Sequence, residues 1–167
     1  EIRKHFFYQS TLASVWMRSI PFWAWVLGIA VVSWVLRWAS FPSMSFDDHA
    51  HHLRMWTELL TTHRYSFDIT TQIWSVAPFT VNLLHAGLSL IAGDDARSAV
   101  NLVLAILLLS LMTRILSAWK LPARTQWLLV VLMASTPMLG NLLLTLQTEL
   151  MLAVLALGGM HLVINAS

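Results

Sequence analysis

The sequence predicts an all-α polytopic membrane protein, with about four transmembrane helices and a long first outer loop that contains interfacial helices. Two observations carry this prediction. The chain of 167 residues is 57% hydrophobic and only 11% charged, whereas soluble domains typically carry about 25% charged residues. Several apolar stretches also approach the roughly 20 residues that a helix needs to cross the hydrocarbon core of a bilayer.

The polar residues exclude several classes of function. The chain has no cysteine, so disulfides and thiolate metal sites are excluded. Its net charge is only +2, and it has no basic stripe interleaved with aromatic residues, so nucleic acid is not an expected partner. The chain begins with Glu1 and an apolar run reaches almost to its end, so we expect it to be the N-terminal segment of a longer protein.

Four apolar stretches are predicted to span the membrane. The first has tryptophans at both ends, which suit the two interfaces, and Pro21 suits a first helical turn because its missing N–H is not needed there. In the second, Arg114 is near enough to the end to reach the interface with its side chain. A proline and a glycine predict a kink in the third. The predicted spans are 20–39, 98–118, 126–144 and 150–165.

A fifth apolar stretch, at 78–92, is predicted to lie along the membrane surface. As a helix it would be about 22 Å long, which is short of a hydrocarbon core of ~30 Å. If it does not cross, the basic N-terminal residues and the basic 119–125 loop share one side, as the positive-inside rule requires. We therefore expect a cytoplasmic or interfacial segment at 1–19, a cytoplasmic loop at 119–125, and outer loops at 40–97 and 145–149.

The motif SFDDHAHHL at 45–53 places two aspartates and three histidines at the start of the predicted outer loop. It opens a predicted amphipathic juxtamembrane helix at 48–63, in which Asp48 suits the third position of a capping box. Capping does not explain Asp47. A carboxylate held at the membrane surface is suited to act as a general base, which removes a proton from an acceptor hydroxyl while it attacks an activated donor.

Neighbouring side chains are candidates for binding at the same place. Asp48, His49 and His52 share one face of the predicted helix and are candidate ligands of a divalent metal cation, with polar surface residues as the alternative. Arg54 and Arg64 are candidates for binding the phosphate of a substrate, because a guanidinium offers a planar fork of donors. Contact with lipid headgroups is the alternative for both arginines.

Two isolated polar residues also stand beside apolar stretches. An ionisable residue at the start of a membrane span costs free energy unless it is paired or used, so Glu149 is a candidate catalytic residue. The alternative is that Glu149 simply occupies the first turn of a helix, where acidic residues are favourable. His85 is a candidate for substrate binding, with a local hydrogen bond as its alternative.

The order of these features resembles the GT-C membrane glycosyltransferases, which include protein O-mannosyltransferases, aminoarabinose transferases of lipid A and the catalytic subunits of oligosaccharyltransferases. The resemblance lies in an acidic pair after the first span, a proline, helix and glycine–acidic break before the second, and an acidic residue opening a later span. The corresponding stretches are FDDHAHHLR at 46–54, VAPFTVNLLHAGLSLIAGDDARSAVNLVLAIL at 76–107 and TPMLGNLLLTLQTELMLAVLAL at 136–157.

This resemblance implies a GT-C-like fold and the transfer of a sugar from a polyprenyl-phosphate donor to a lipid, glycan or protein acceptor. Asp47 would be the general base, and Asp48 and Glu149 would support the site or help to bind a divalent metal cation. The implied location is the bacterial inner membrane, with the active site on its outer face. A proton- or cation-coupled transporter and a non-catalytic membrane assembly subunit are the alternative functions.

Overall fold

A computed structural model describes residues 21–42, 53–66, 79–145 and 148–166, and the chain is helical without any strand throughout these ranges. This confirms the predicted all-α fold. Seven helices occur in the described part of the chain: α1 (Phe22–Ala39), α2 (Arg54–Thr62), α3 (Phe79–Ala92), α4 (Arg97–Ala118), α5 (Ala123–Ala134), α6 (Pro137–Leu144) and α7 (Glu149–Ala166).

Three of these helices, α1, α4 and α7, are long and apolar enough to cross a membrane. The helices α5 and α6 pass the same test only as a pair, and they are bent by 53° at the break between them. The described chain therefore has three candidate spans, or four if the bent pair forms one span. These helices indicate an integral membrane protein.

The break between α5 and α6 follows from the local sequence. Thr136 has an extended backbone and caps α6, since its side chain accepts the N–H of Leu139 at 3.3 Å. Pro137 occupies the first turn of α6, where its missing N–H is not needed. Because proline also restricts the residue before it to extended conformations, α5 cannot continue into α6 without interruption.

The core lies around α4, which packs along α7 and contacts α1, α5 and α6. Its buried face joins residues from all of these helices in one apolar cluster, which includes Val35, Leu104, Leu108, Leu139 and Leu150. The outer faces of the long helices carry exposed apolar side chains, such as Ile29, Val103, Leu155 and Leu162. Exposure on this scale would be a liability in water but is expected for helices surrounded by lipid.

Two glycines allow α1 to approach α5 and α6 closely. A Cβ atom at Gly28 would lie 2.5 Å from Cζ2 of Trp127, and one at Gly140 would lie 2.9 Å from Cη2 of Trp34. The Trp127 ring cannot easily move away, because its Nε1 donates to the carbonyl of Ala24 at 3.1 Å. Small residues beneath large ones thus set this helix–helix contact.

Long-range hydrogen bonds define two ends of the helical bundle. At one end, Trp127 joins the start of α5 to the start of α1, and Ser117 near the end of α4 contacts Gln126 at 2.9 Å. We call this the basic end, because it carries Arg114, Lys120 and Arg124. The other end, called the junction end, contains the end of α1, the starts of α4 and α7, and the end of α6.

The two shorter helices between the first and second long helices pack against each other. They lie within the two stretches predicted as juxtamembrane helices, α2 within 48–63 and α3 within 78–92. An apolar contact connects both of them to the start of α7, since Met151 packs against Leu53 and Val81. Both short helices therefore lie at the junction end.

Candidate functional site

The helix α3 buries its polar face and exposes its apolar one. Asn82, His85 and Ser89 recur at helical spacing and are all buried. The exposed side chains of α3 include Leu83, Leu84, Leu88, Leu90 and Ile91. A helix on a water-facing surface shows the opposite arrangement, so α3 is suited to rest with this apolar face against lipid while its polar face serves the protein.

The buried face of α3 leads into a hydrogen-bonded cluster around His85. The ring of His85 is fully buried, and its Nε2 lies 2.7 Å from Oδ1 of Asp95 and 3.0 Å from Oγ of Ser89. Ser89 also accepts the backbone N–H of Ala96 at 2.9 Å, and Asp95 accepts that of Arg97 at 2.9 Å. The turn between α3 and α4 is thereby tied to α3.

The sequence of this turn explains its conformation. Gly93 has a left-handed backbone with φ of 72°, and its N–H bonds to the carbonyl of Ser89 at 2.9 Å, which ends α3. Asp94 then accepts the N–H of Asp95 at 2.7 Å through its side chain. This short-range hydrogen bonding turns the chain so that Asp95 points back to α3.

Arg97 connects the start of α4 to two other helix ends. Its side chain is only 2% exposed, and its guanidinium donates to the carbonyl of Phe41 at 2.6 Å and to the carbonyl of Leu144. Nε of Arg97 also lies 3.6 Å from Oδ2 of Asp95. Leu144 is the last residue of α6 and its carbonyl has no partner within the helix, so Arg97 supplies a donor that this helix end lacks. Phe41 follows the end of α1 by two residues, so the same guanidinium also holds the chain where it leaves α1.

Asn101, one turn further along α4, continues the same pattern. It is fully buried, and its Nδ2 donates to the carbonyl of Leu143 at 3.1 Å and to that of Thr145 at 2.6 Å. The end of α6 is thus held by two polar side chains of α4. Among the buried residues of the described chain, Arg97 is the only arginine, lysine, aspartate or glutamate.

Ser89, His85 and Asp95 are the residue types of a hydrolytic triad, but their geometry does not fit nucleophilic catalysis. In a triad the serine and the carboxylate contact opposite nitrogens of the imidazole. Here both contact Nε2, and Nδ1 of His85 has no hydrogen-bond partner among the described residues. Ser89 is also fully buried, so a substrate cannot reach its hydroxyl. The cluster fixes the turn and does not attack a substrate.

Trp56 of α2 meets His85 at the interface between α2 and α3. The two ring centroids are 6.1 Å apart and the rings are inclined at 83°, an edge-to-face contact. Nε1 of Trp56, like Nδ1 of His85, is buried without a partner in the described part of the chain. Buried polar atoms are normally paired, so this interface has hydrogen-bonding capacity for a group beyond the described residues.

The surroundings of Asp95 change the pKa of its carboxyl group. Partial burial alone would raise this pKa, but the hydrogen bonds from His85 and from the Arg97 N–H, with the charges of both side chains, hold it below its ordinary value of 3.8. A carboxylate with a lowered pKa in the folded state stabilises the fold above that ordinary value. This contribution is lost as the pH falls below 3.8 and through the lower pKa of the folded state.

We expect Asp95→Asn to reduce the free energy of unfolding at neutral pH by about 1.5–3 kcal/mol, the usual contribution of hydrogen bonds to a charged group. Unfolding in detergent micelles between pH 7 and pH 3 measures this. The difference from the wild type should shrink as the pH falls below ~4, because the carboxyl group of the unfolded wild type then takes up a proton more readily than that of the folded protein. The control is Asp94→Asn, because Asp94 is exposed and its replacement keeps an acceptor for the next N–H. A difference that stays constant across this pH range would contradict the prediction.

The structure describes four of the predicted site residues. Arg54 is engaged on its own helix, with its Nε 2.5 Å from Oε1 of Glu58, whereas Arg64 is exposed just after α2. His85 makes the local hydrogen bonds given above. Glu149 is exposed in the first turn of α7, next to the fully buried Leu150.

The other predicted site residues, Asp47, Asp48, His49 and His52, lie outside the described residues. Within the described ranges, no group of three His, Asp or Glu side chains is arranged to hold a metal ion. His85 and Glu149 lie on α3 and α7, which meet at the junction end through Val81 and Met151, and the described residues supply no ligand set for the predicted divalent cation.

Sequence reasoning missed Arg97 and Asn101, the two residues that organise the junction end. A signal was present for Arg97. A cation in the first turn of a helix faces the positive end of the helix dipole, and this position is unfavourable unless the side chain has acceptors elsewhere. Asn101 carries no comparable signal, because a single asparagine in an apolar span indicates polarity but not its partner.

Comparisons with known proteins identify no family for this chain. No protein-family model, no curated protein sequence and no solved structure matches it.

Proposed function

We propose that this chain is the N-terminal part of a GT-C-like membrane glycosyltransferase. In this proposal it moves a sugar from a polyprenyl-phosphate donor to an acceptor at the outer face of a bacterial inner membrane. The observation that carries the proposal is the junction end, where helix ends distant in sequence are held together around Arg97. A site assembled from several helix ends at a membrane surface suits the reaction of a lipid-anchored donor with an acceptor from outside the bilayer.

Both described flanks of the segment that contains Asp47 are held at the junction end. Before the segment, the carbonyl of Phe41 accepts a hydrogen bond from Arg97. After it, Leu53 packs with Met151, which follows Glu149 by two residues on α7. This arrangement supports a site in which Asp47 acts as the base and Glu149 assists it, because both flanks are held at the end of the bundle that also contains Glu149.

The proposed roles of the remaining polar residues follow from their contacts. Arg64 is the better candidate for the donor phosphate, since Arg54 is already paired with Glu58. His85 is too deeply buried and too fully engaged at Nε2 to bind a sugar with that nitrogen. We propose that it positions the α2–α3 pair instead. No step is assigned to a divalent cation.

A transporter is less well supported by the described residues. Coupled transport requires ionisable side chains along a pathway through the bundle. The one buried arginine, lysine, aspartate or glutamate of the described chain, Arg97, lies at the junction end and donates to helix-end carbonyls. Both terminal nitrogens of its guanidinium therefore hold helix ends together.

We expect Glu149→Gln to lower the rate of sugar transfer about 10- to 100-fold, the usual effect of removing a group that supports a catalytic residue. The assay follows release of polyprenyl phosphate from a labelled polyprenyl-phosphate sugar by the protein in proteoliposomes. Asp94→Asn is the control, because it removes an equally exposed negative charge at the same end.

Two results would count against these assignments in different ways. Wild-type turnover in Glu149→Gln would remove Glu149 from the site but leave the reaction in place. A folded wild-type protein that releases no polyprenyl phosphate from any such donor would overturn the proposed activity itself.

A further inference from the structure

The basic end of the bundle carries a polar groove that the proposed function does not use. It is open, with a cavity volume of about 640 Å³, and lies between the C-terminal halves of α4 and α7. Its lining includes Ser110, Thr113, Arg114, Ser117, His161 and Asn165. Polar side chains from two candidate membrane spans thus face one groove.

Exposed tryptophans place this groove near the membrane–water boundary. Arg114 precedes the last residue of α4 by four positions, a distance of about 6 Å along a helix. Trp119, just after α4, is 55% exposed, and Trp23, at the start of α1 on the same end, is 57% exposed. Tryptophans concentrate at the level of lipid headgroups, so the groove lies where headgroups lie.

Arg114 has no acidic neighbour at this end in the described part of the chain. The acidic residues of the described ranges are Glu58, Asp94, Asp95 and Glu149, and they all lie on elements of the junction end. A guanidinium so close to an apolar span is costly unless it reaches water or binds an anion. An anion from outside the described chain is therefore the natural partner of Arg114.

The donors that line the groove suit a phosphate. Thr113 and Ser117 use their hydroxyls within α4, donating to the carbonyls of Leu109 at 2.8 Å and Thr113 at 2.9 Å. The ring of His161 is already in contact with Asn165, whose Nδ2 lies 3.1 Å from both ring nitrogens. The guanidinium fork of Arg114 therefore remains as the strong donor toward the groove. Arginine is the side chain best matched to phosphate, because its donors pair with two phosphate oxygens at once.

We propose that this groove binds an anionic phosphate group, presented by the headgroup of a membrane lipid. The position of the groove favours a lipid over a soluble phosphate, since it lies between two candidate membrane spans and close to the exposed Trp119. Acyl chains can lie along the exposed apolar side chains of these spans while the phosphate contacts Arg114. The proposal is independent of the proposed glycosyltransferase activity, because it concerns the opposite end of the bundle.

The source of the phosphate is tested by adding three compounds separately to the purified protein in detergent. Dioleoyl-phosphatidylglycerol should raise the Tm and remain bound in native mass spectra. The zwitterionic dioleoyl-phosphatidylcholine should have a much smaller effect, and inorganic phosphate should have none at millimolar concentration. If inorganic phosphate raises the Tm and phosphatidylglycerol does not, a lipid headgroup is not the source of the bound phosphate. No preference for phosphatidylglycerol over phosphatidylcholine would overturn the anionic site.

The position of the site is tested with charge variants. Arg114→Gln should weaken phosphatidylglycerol binding about 10- to 100-fold, as expected for the loss of charge-assisted hydrogen bonds. Lys120→Gln is the matched control, since it removes one positive charge from the same end outside the groove lining. Arg114→Lys keeps the charge but not the fork, and it should bind several-fold more weakly than the wild type. Equal losses in Lys120→Gln and Arg114→Gln, or wild-type binding in Arg114→Gln, would overturn the proposal.

Discussion

Replacing Arg97 by glutamine is expected to destabilise the protein by about 2–6 kcal/mol, the largest effect on stability that the structure predicts. The guanidinium donates to the carbonyls of Phe41 and Leu144, which belong to two different helix ends. A hydrogen bond to a charged group contributes about 1.5–3 kcal/mol, and these two part-buried hydrogen bonds are lost together. Glutamine is too short to replace both bonds, so the chain that leaves α1 should separate from α4, while Asn101 alone holds the end of α6.

The measurement is unfolding in mixed detergent micelles, followed by circular dichroism. Arg37→Gln is the matched control, because Arg37 is exposed and its guanidinium carbon lies 5.9 Å from the ring centroid of the same Phe41. An exposed cation–π contact contributes about 0.5–1 kcal/mol, so the control should lose little. Arg97→Lys keeps the charge but not the planar fork of donors, so its loss of stability should lie between those of Arg97→Gln and Arg37→Gln. Equal stability of Arg97→Gln and Arg37→Gln would show that the junction end does not depend on Arg97.

Replacing Asp47 by asparagine is expected to abolish sugar transfer, with a fall in rate of about 10²- to 10⁴-fold, while the protein still inserts into the membrane. The amide has nearly the same shape as the carboxylate but cannot accept a proton from the acceptor hydroxyl. The expectation rests on the resemblance of the FDDHAHHLR motif and on the anchoring of both flanks of this segment at the junction end. The polyprenyl phosphate release assay measures it.

Two controls separate catalysis from folding in this experiment. The Tm and the membrane fraction of Asp47→Asn should match those of the wild type, since only an oxygen is exchanged for an amide nitrogen. The 167 residues include no cysteine, so Asp47→Cys provides a single label site within them. A membrane-impermeant maleimide should modify it from the outer face. Labelling from the cytoplasmic face alone, or undiminished turnover in Asp47→Asn, would contradict the assignment.

The long helices could be predicted from sequence because their signal is local. A window of about 20 apolar residues identifies a span without reference to the rest of the chain. The predicted stretch 98–118 falls within α4, which begins at Arg97, and 150–165 falls within α7, which begins at Glu149. At 126–144 the sequence predicted a kink, but its angle of 53° depends on how both pieces pack against α1 and α4.

The junction end could not be predicted, because its contacts are distant in sequence. Arg97 reaches carbonyls separated from it by 47 and 56 residues, and periodicity contains no information about such pairs. The spacing of Asn82, His85 and Ser89 showed that α3 has a polar face, but not whether that face points into the protein or away from it. On a helix exposed to water the polar face points toward the solvent, whereas on a helix that rests against lipid it points into the protein.

The hydrogen bonds of Arg97 also constrain the order in which the chain matures during synthesis. Its acceptors at Leu143 and Leu144 follow it by 46 and 47 residues. At a translation rate of about 5–20 residues per second, they leave the ribosome roughly 2–9 s later. During that interval the carbonyl of Phe41, which precedes Arg97 by 56 residues, is already available, so the contact between α4 and the end of α6 is the later of the two to form during biogenesis.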